Sequence, residues 1–153
     1  MFCEHCGDLD GAETGIDHDE RDCPWYADQT WTAEDLETVL RQTADGNPGM
    51  TAAVELLAAH AIWLPRLVQL PDVLIADGET GEVYDLDWPA LATAAQAPAL
   101  PGSGSELRVL ALAASLASDA SVRLGDAVSG LDDTNLRLVL HAIATANGRP
   151  HAA

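Results

Sequence analysis

The chain of 153 residues has room for one ordinary domain and a small appendage, and its 48% apolar content argues against disorder throughout. Its 25 acidic residues face seven arginines and no lysine, a net charge of −18 that repels a phosphate backbone and disfavours direct nucleic-acid binding. No apolar run approaches the ~20 residues that span a bilayer, and the first residues lack the basic and apolar regions of a signal peptide, so a cytoplasmic protein without membrane contact is expected.

The charge is unevenly spread. Residues 1–30 carry nine acids against Arg21, residues 31–100 eleven against Arg41 and Arg66, and residues 101–153 five against four arginines. A basic protein surface is therefore the expected partner of the first two thirds.

The chain opens on three cysteines confined to residues 3–23, which read as a metal site where a disulfide framework would show an even number. Cys3 and Cys6 form a C-x2-C pair, with Gly7 letting the turn close, and His18 and Cys23 form an H-x4-C pair eleven residues on. These four are the expected ligands of one zinc ion, with His5 the competitor of His18. A segment so short, glycine-rich and acidic needs a metal to fold at all. Three thiolates and an imidazole also close the coordination sphere, so the expected role is structural. His18-Asp19-Glu20 matches the H-x-E of zinc deaminases superficially, but the C-x-x-C precedes it and no α/β pattern surrounds it.

In ligand order and in both outer spacings, Cys3, Cys6, His18 and Cys23 resemble a CCHC-type zinc knuckle whose middle loop is lengthened from four residues to eleven. The knuckle family binds single-stranded nucleic acid. Here the loop length and the acids Asp8, Asp10, Glu13, Asp17, Asp19, Glu20 and Asp22 point away from that activity. Trp25 and Trp31 flank the exit of this finger and are expected to pack it onto a helical body.

Predicted helices follow. Thr32 caps the first, Leu36, Val39 and Leu40 share its face, and Gly46 ends it. Asn47-Pro48 opens a second, with Val54, Leu57, Ala58 and Ala61 on one side, that runs toward Pro65. Between Val73 and Leu86, the β-favouring Leu74-Ile75 and Val83-Tyr84 flank Asp77 to Glu82, a hairpin with a glycine-containing loop. That loop matches no calcium-binding spacing. Asp87 and Pro89 start a helix running to about Gln96.

Aromatic residues stop at Trp88, and Pro98-Ala99-Leu100-Pro101-Gly102 marks a boundary near residue 100. The expected divisions are a zinc finger over 1–30, an acidic helical region with a hairpin at about 73–86 over 31–97, and a helical region over 103–150. Ser103 and Glu106 form a capping box before Leu107, Leu110, Ala111 and Ala114; the Gly102–Ser105 stretch lacks the lysine of a phosphate-binding loop. A turn with a short helix covers Val122 to Leu131. A last helix from Asp132 or Asp133 places Leu136, Val139, Leu140 and Ile143 on one face and ends at Gly148. The histidines His60 and His141 fall within helices, where a packed or surface role is the ordinary one.

The stretch from Asp126 to Asn135 with Leu138-Val139 and Ala142-Ile143, together with the arginine-only, alanine-rich composition, resembles small acidic zinc-binding proteins of actinobacteria or their phages. That likeness implies a source and no activity. The expected fold is mainly α, with an N-terminal zinc finger, one small β-hairpin and a helical C-terminal part. The expected function is a non-enzymatic binding or regulatory module acting through protein contacts. A nucleic-acid mimic and a structural subunit of a larger assembly are the alternatives, and an enzyme comes last.

Overall fold

The computed structural model describes residues 31–97 and 99–149. The expected finger, with Cys3, Cys6, His18, Cys23, His5 and Trp25, lies outside the described residues, and Trp31 is half-buried. From Ala33 onward the chain forms one compact unit. Among the described residues this unit is mainly helical, with one two-stranded antiparallel hairpin, as the periodicity predicts.

Helix α1 (Ala33–Ala44) buries Leu36, Leu40 and Ala44, spaced four apart on one side, and Gly46 takes φ +83° beyond its end. Helix α2 (Pro48–His60) starts as Asn47 predicts, with the asparagine Oδ1 accepting from Met50 N at 3.0 Å and proline in the first turn. It stops sooner than Pro65 requires. Ala61 adopts the left-handed conformation, φ 62°, and donates its N–H to Leu57 O at 3.0 Å, closing the helix. Pro65 then sits inside the first turns of a separate helix α3 (Trp63–Leu67), where its missing N–H leaves no hydrogen bond unmade.

A 3-10 turn (Pro71–Val73) leads into β1 (Leu74–Ala76), which pairs with β2 (Val83–Leu86) in the register Leu74 to Leu86 and Ile75 to Asp85, with an irregularity before Ala76. Helix α4 (Trp88–Gln96) is capped by Asp87, which accepts from Ala90 N at 3.1 Å. Helix α5 (Gly104–Ala117) carries the complete capping box of Ser103 and Glu106. Helices α6 (Leu124–Ser129) and α7 (Asp133–Ala146) complete the unit, the latter capped by Asp132 accepting from Asn135 N at 2.8 Å.

Helix α2 lies at the centre, packed on α1, α3, α5 and α7, while α5 is packed on α2, α4, α6 and α7. Neighbours on several sides explain why α2 buries Met50, Ala52, Ala53, Val54, Leu56 and Leu57, and why α5 buries every residue from Val109 to Ala114. The single apolar face read from sequence is a minimum for both helices. The segments before and after residue 100 thus share one core, although they differ in charge and aromatic content. Alanines at Ala52, Ala53, Ala113, Ala114 and Ala142 let these helices approach closely, and Gly49 does the same by contact: a Cβ there would lie 2.5 Å from the Leu116 carbonyl oxygen.

Trp63 is the largest fully buried side chain. Its Nε1 donates to Glu106 O at 2.8 Å, the Arg66 guanidinium lies 5.2 Å from its ring centre, and Gly102 closes over its six-membered ring. Arg66 in turn pairs with Glu106 at 3.0 Å and donates to Pro101 O at 3.1 Å. This cluster ties α3 to the start of α5 and to the loop that precedes it.

Candidate functional site: an acidic face on helix α1 and the hairpin

Helix α1 packs against β2, and the Thr43 hydroxyl donates to Tyr84 O. That contact places the acids of two separate stretches on neighbouring elements. Glu34 and Asp35 occupy the first turn of α1, Glu37 the second, and Asp45 follows its end; Asp77, Glu79 and Glu82 occupy the hairpin loop. All but Glu37 are exposed, as is Tyr84 at 46%. Acids in the first turn of α1 are favourable to its dipole, and the β-loop acids meet no buried apolar surface, so folding tolerates this concentration of charge.

The hairpin loop is held by its own hydrogen bonds. Asp77 Oδ1 accepts from Glu79 N at 2.8 Å and Thr80 N at 2.9 Å, and Asp77 N donates to Glu82 O at 2.8 Å. The Thr80 and Glu79 amides hold the Asp77 carboxyl below its ordinary value, so it stays charged. Asp85, on β2, behaves oppositely: burial raises it, opposed by the Leu86 amide and by Trp88 Nε1, whose distances to Oδ1 are 2.8 and 3.0 Å. Asp85 is thus a packing residue joining β2 to α4, while Asp77, Glu79 and Glu82 face solvent. On this face Arg41 is the neighbouring cation, and it is tied to Glu37 at 2.8 Å.

The two histidines differ: His141 is a surface residue, while His60 has a buried Nδ1 with no hydrogen-bond partner among the described residues. His60 is half-buried at the end of α2, with Glu106, Asp132 and Arg66 in its surroundings, and burial lowers its pKa. His141 stands 4.0 Å from Glu55, linking α7 to α2. Among the described residues, no buried side chain is charged or polar, and no three of His, Cys, Asp and Glu are grouped to hold a metal. None of the helices described is long and apolar enough to cross a membrane.

Sequence reasoning located the acids but not the packing of α1 on β2, because the two elements are separated by more than thirty residues. It also missed a cleft that gathers two arginines from separate elements. No protein family, curated protein or solved structure was found to match the chain.

Proposed function

We propose that the chain is a non-enzymatic acidic binding module, whose first hundred residues engage a basic surface on a partner protein. The concentration of exposed carboxylates on α1 and on the hairpin loop, elements linked through the packing of α1 on β2, is the observation that carries this reading. Dense carboxylates accelerate encounter with a cationic partner, and an exposed tyrosine supplies the apolar contact area and hydrogen-bonding tip that bound surfaces use. In this reading Cys3, Cys6, His18 and Cys23 hold one structural zinc, supported by their pair spacings and by a donor set that suits tetrahedral zinc.

The test is affinity capture on the full chain with washes of rising salt, followed by measured binding of each captured protein. Neutralising Glu34, Glu79 and Glu82 together to glutamine is expected to abolish the salt-sensitive interaction, while Arg137→Gln leaves it intact. Partners that persist undiminished at high salt, or that ignore the triple substitution, defeat the proposal. Displacement of the chain from its partner by DNA or RNA would favour the mimic alternative within the same experiment.

A second reading, a subunit buried in a larger assembly, draws support from α7. Leu136, Leu140 and Ile143 are 37%, 47% and 44% exposed and lie three or four residues apart along one side of the helix. Loss of partner binding on converting Leu140 to serine, with the acidic substitutions silent, would select this reading.

A further inference from the structure

A cleft of about 420 Å³ opens between the end of α4, the first turns of α5, and α6 with its preceding loop. Its floor is apolar, formed by Leu107, Ala111, Val122 and Ala127, and Arg108, Arg123, Gln96 and Asp126 line it as well. The size falls within the roughly 300–1,000 Å³ usual for small-molecule sites, which combine an apolar lining with a few convergent polar groups.

The arginines are the unusual feature. Among the described residues, Arg41 is paired with Glu37 and Arg66 with Glu106, whereas neither Arg108 nor Arg123 makes a hydrogen bond or ion pair with another described residue. Arg137 and Arg149 are unpaired among the described residues as well, and what sets Arg108 and Arg123 apart is that both line this one cleft. Asp126 lines the same cleft and stays beyond ion-pair distance of both. A guanidinium carries five N–H donors in a planar fork, and a half-buried one calls for oxyanion acceptors.

The surrounding backbone shapes the cleft walls. Arg108 lies against Gly130, where an added Cβ would stand 2.6 Å from its Cζ, and passes near Gly104. A side chain at position 130 would displace the flexible end of Arg108 from this position. Arg123 follows a turn pinned by Ser115 Oγ donating to Ala120 O and Ser118 Oγ donating to Ala114 O, each at 2.7 Å. Gln96 Nε2 donates to Ser121 O at 3.1 Å and fixes the opposite wall to that turn. The backbone of the cleft is therefore in place before any ligand arrives, which lowers part of the ordering cost of binding.

We propose that this cleft binds a small organic anion, an oxyanion group of carboxylate or phosphate type on an apolar body. Arg108 and Arg123 hold the oxyanion, and Leu107, Ala111, Val122 and Ala127 contact the body. The net charge of −18 does not forbid this, because at physiological salt the remote carboxylates are screened over roughly 8 Å while the two guanidinium groups act at contact. This site shares no residue with the acidic face.

Amide NMR titration of the full chain with phenyl phosphate, benzoate, inorganic phosphate and benzyl alcohol tests the proposal. Phenyl phosphate and benzoate are expected to shift the Leu107, Ala111 and Ala127 amides saturably, and to bind at least about tenfold more tightly than benzyl alcohol. Arg123→Gln, an exposed position that leaves folding intact, should weaken phenyl phosphate about tenfold, and Arg137→Gln should not. Gly130→Ala, which keeps every charge but crowds Arg108, should also weaken it, with retained amide dispersion showing that the chain is folded. Equal binding of benzyl alcohol, equal binding of inorganic phosphate and phenyl phosphate, indifference to Arg123→Gln, or no saturable shift at about 10 mM probe overturns it.

Discussion

Single positions show where this fold is strained or crowded. Gly49 faces the Leu116 carbonyl, so Gly49→Ala forces α2 and the end of α5 apart and is expected to cost about 1–3 kcal/mol. Ala61 holds φ 62° to end α2, a conformation that an L side chain adopts at some cost; Ala61→Gly relieves it and should add up to about 1 kcal/mol. Urea denaturation of the two variants checks both signs, and a destabilised Ala61→Gly would contradict the capping role. His60 sets a pH response. Burial holds its folded pKa below the ordinary 6.5, so the unfolded chain takes up the proton first. Its penalty is absent well above 6.5 and grows as the pH falls through 6.5 toward the folded value. Between about pH 7 and pH 5.5 the parent chain should therefore lose more melting temperature than His60→Gln, a difference that calorimetry reads directly. The Glu106 and Asp77 carboxyls, held low by the Ser103 and Thr80 amides respectively, contribute stability that is lost only at more acid pH.

Element boundaries follow local chemistry closely. Asn47, Asp87, Ser103 and Asp132 each cap the helix that their spacing implies, and Gly148 takes φ +85° after α7. Caps act over three or four residues, so they are visible before the fold is known. Which side of a helix is buried is not local. Leu136, Val139, Leu140 and Ile143 all read as one apolar face, yet α7 turns Val139 and Ala142 onto its neighbours and leaves the other three exposed. Leu57→Ala in the central helix is expected to cost about 2–5 kcal/mol in urea denaturation, and Leu140→Ser to change stability by no more than about 0.5 kcal/mol. If zinc organises the N-terminal segment, elemental analysis should find one zinc per chain, retained by His5→Ala and lost by His18→Ala. The reverse pattern would transfer the ligand role to His5, and absence of stoichiometric metal would remove it.

Over the whole molecule, charge is the dominant variable. A net −18 on a small chain destabilises the compact state by self-repulsion, so raising sodium chloride from about 0.05 to about 0.5 M should raise the melting temperature. A fall over the same range would show that specific ion pairs, such as Arg66 with Glu106, outweigh the general repulsion. The near-neutral last third supplies α5 and α7, both packed on α2, while the excess of acids over arginines lies before it. That separation explains how one small unit carries an anionic face and a cleft lined by arginines.

Sequence alone determined the helical class, the hairpin, the caps and the acidic bias of the first hundred residues, because periodicity, capping and net charge are properties of near neighbours and of sums. Tertiary packing decided that α2 and α5 are buried on several sides, that α1 packs on β2, and that Arg108 and Arg123 line one cleft. Those outcomes depend on which helices become neighbours, and chain separation conceals that until the core has formed.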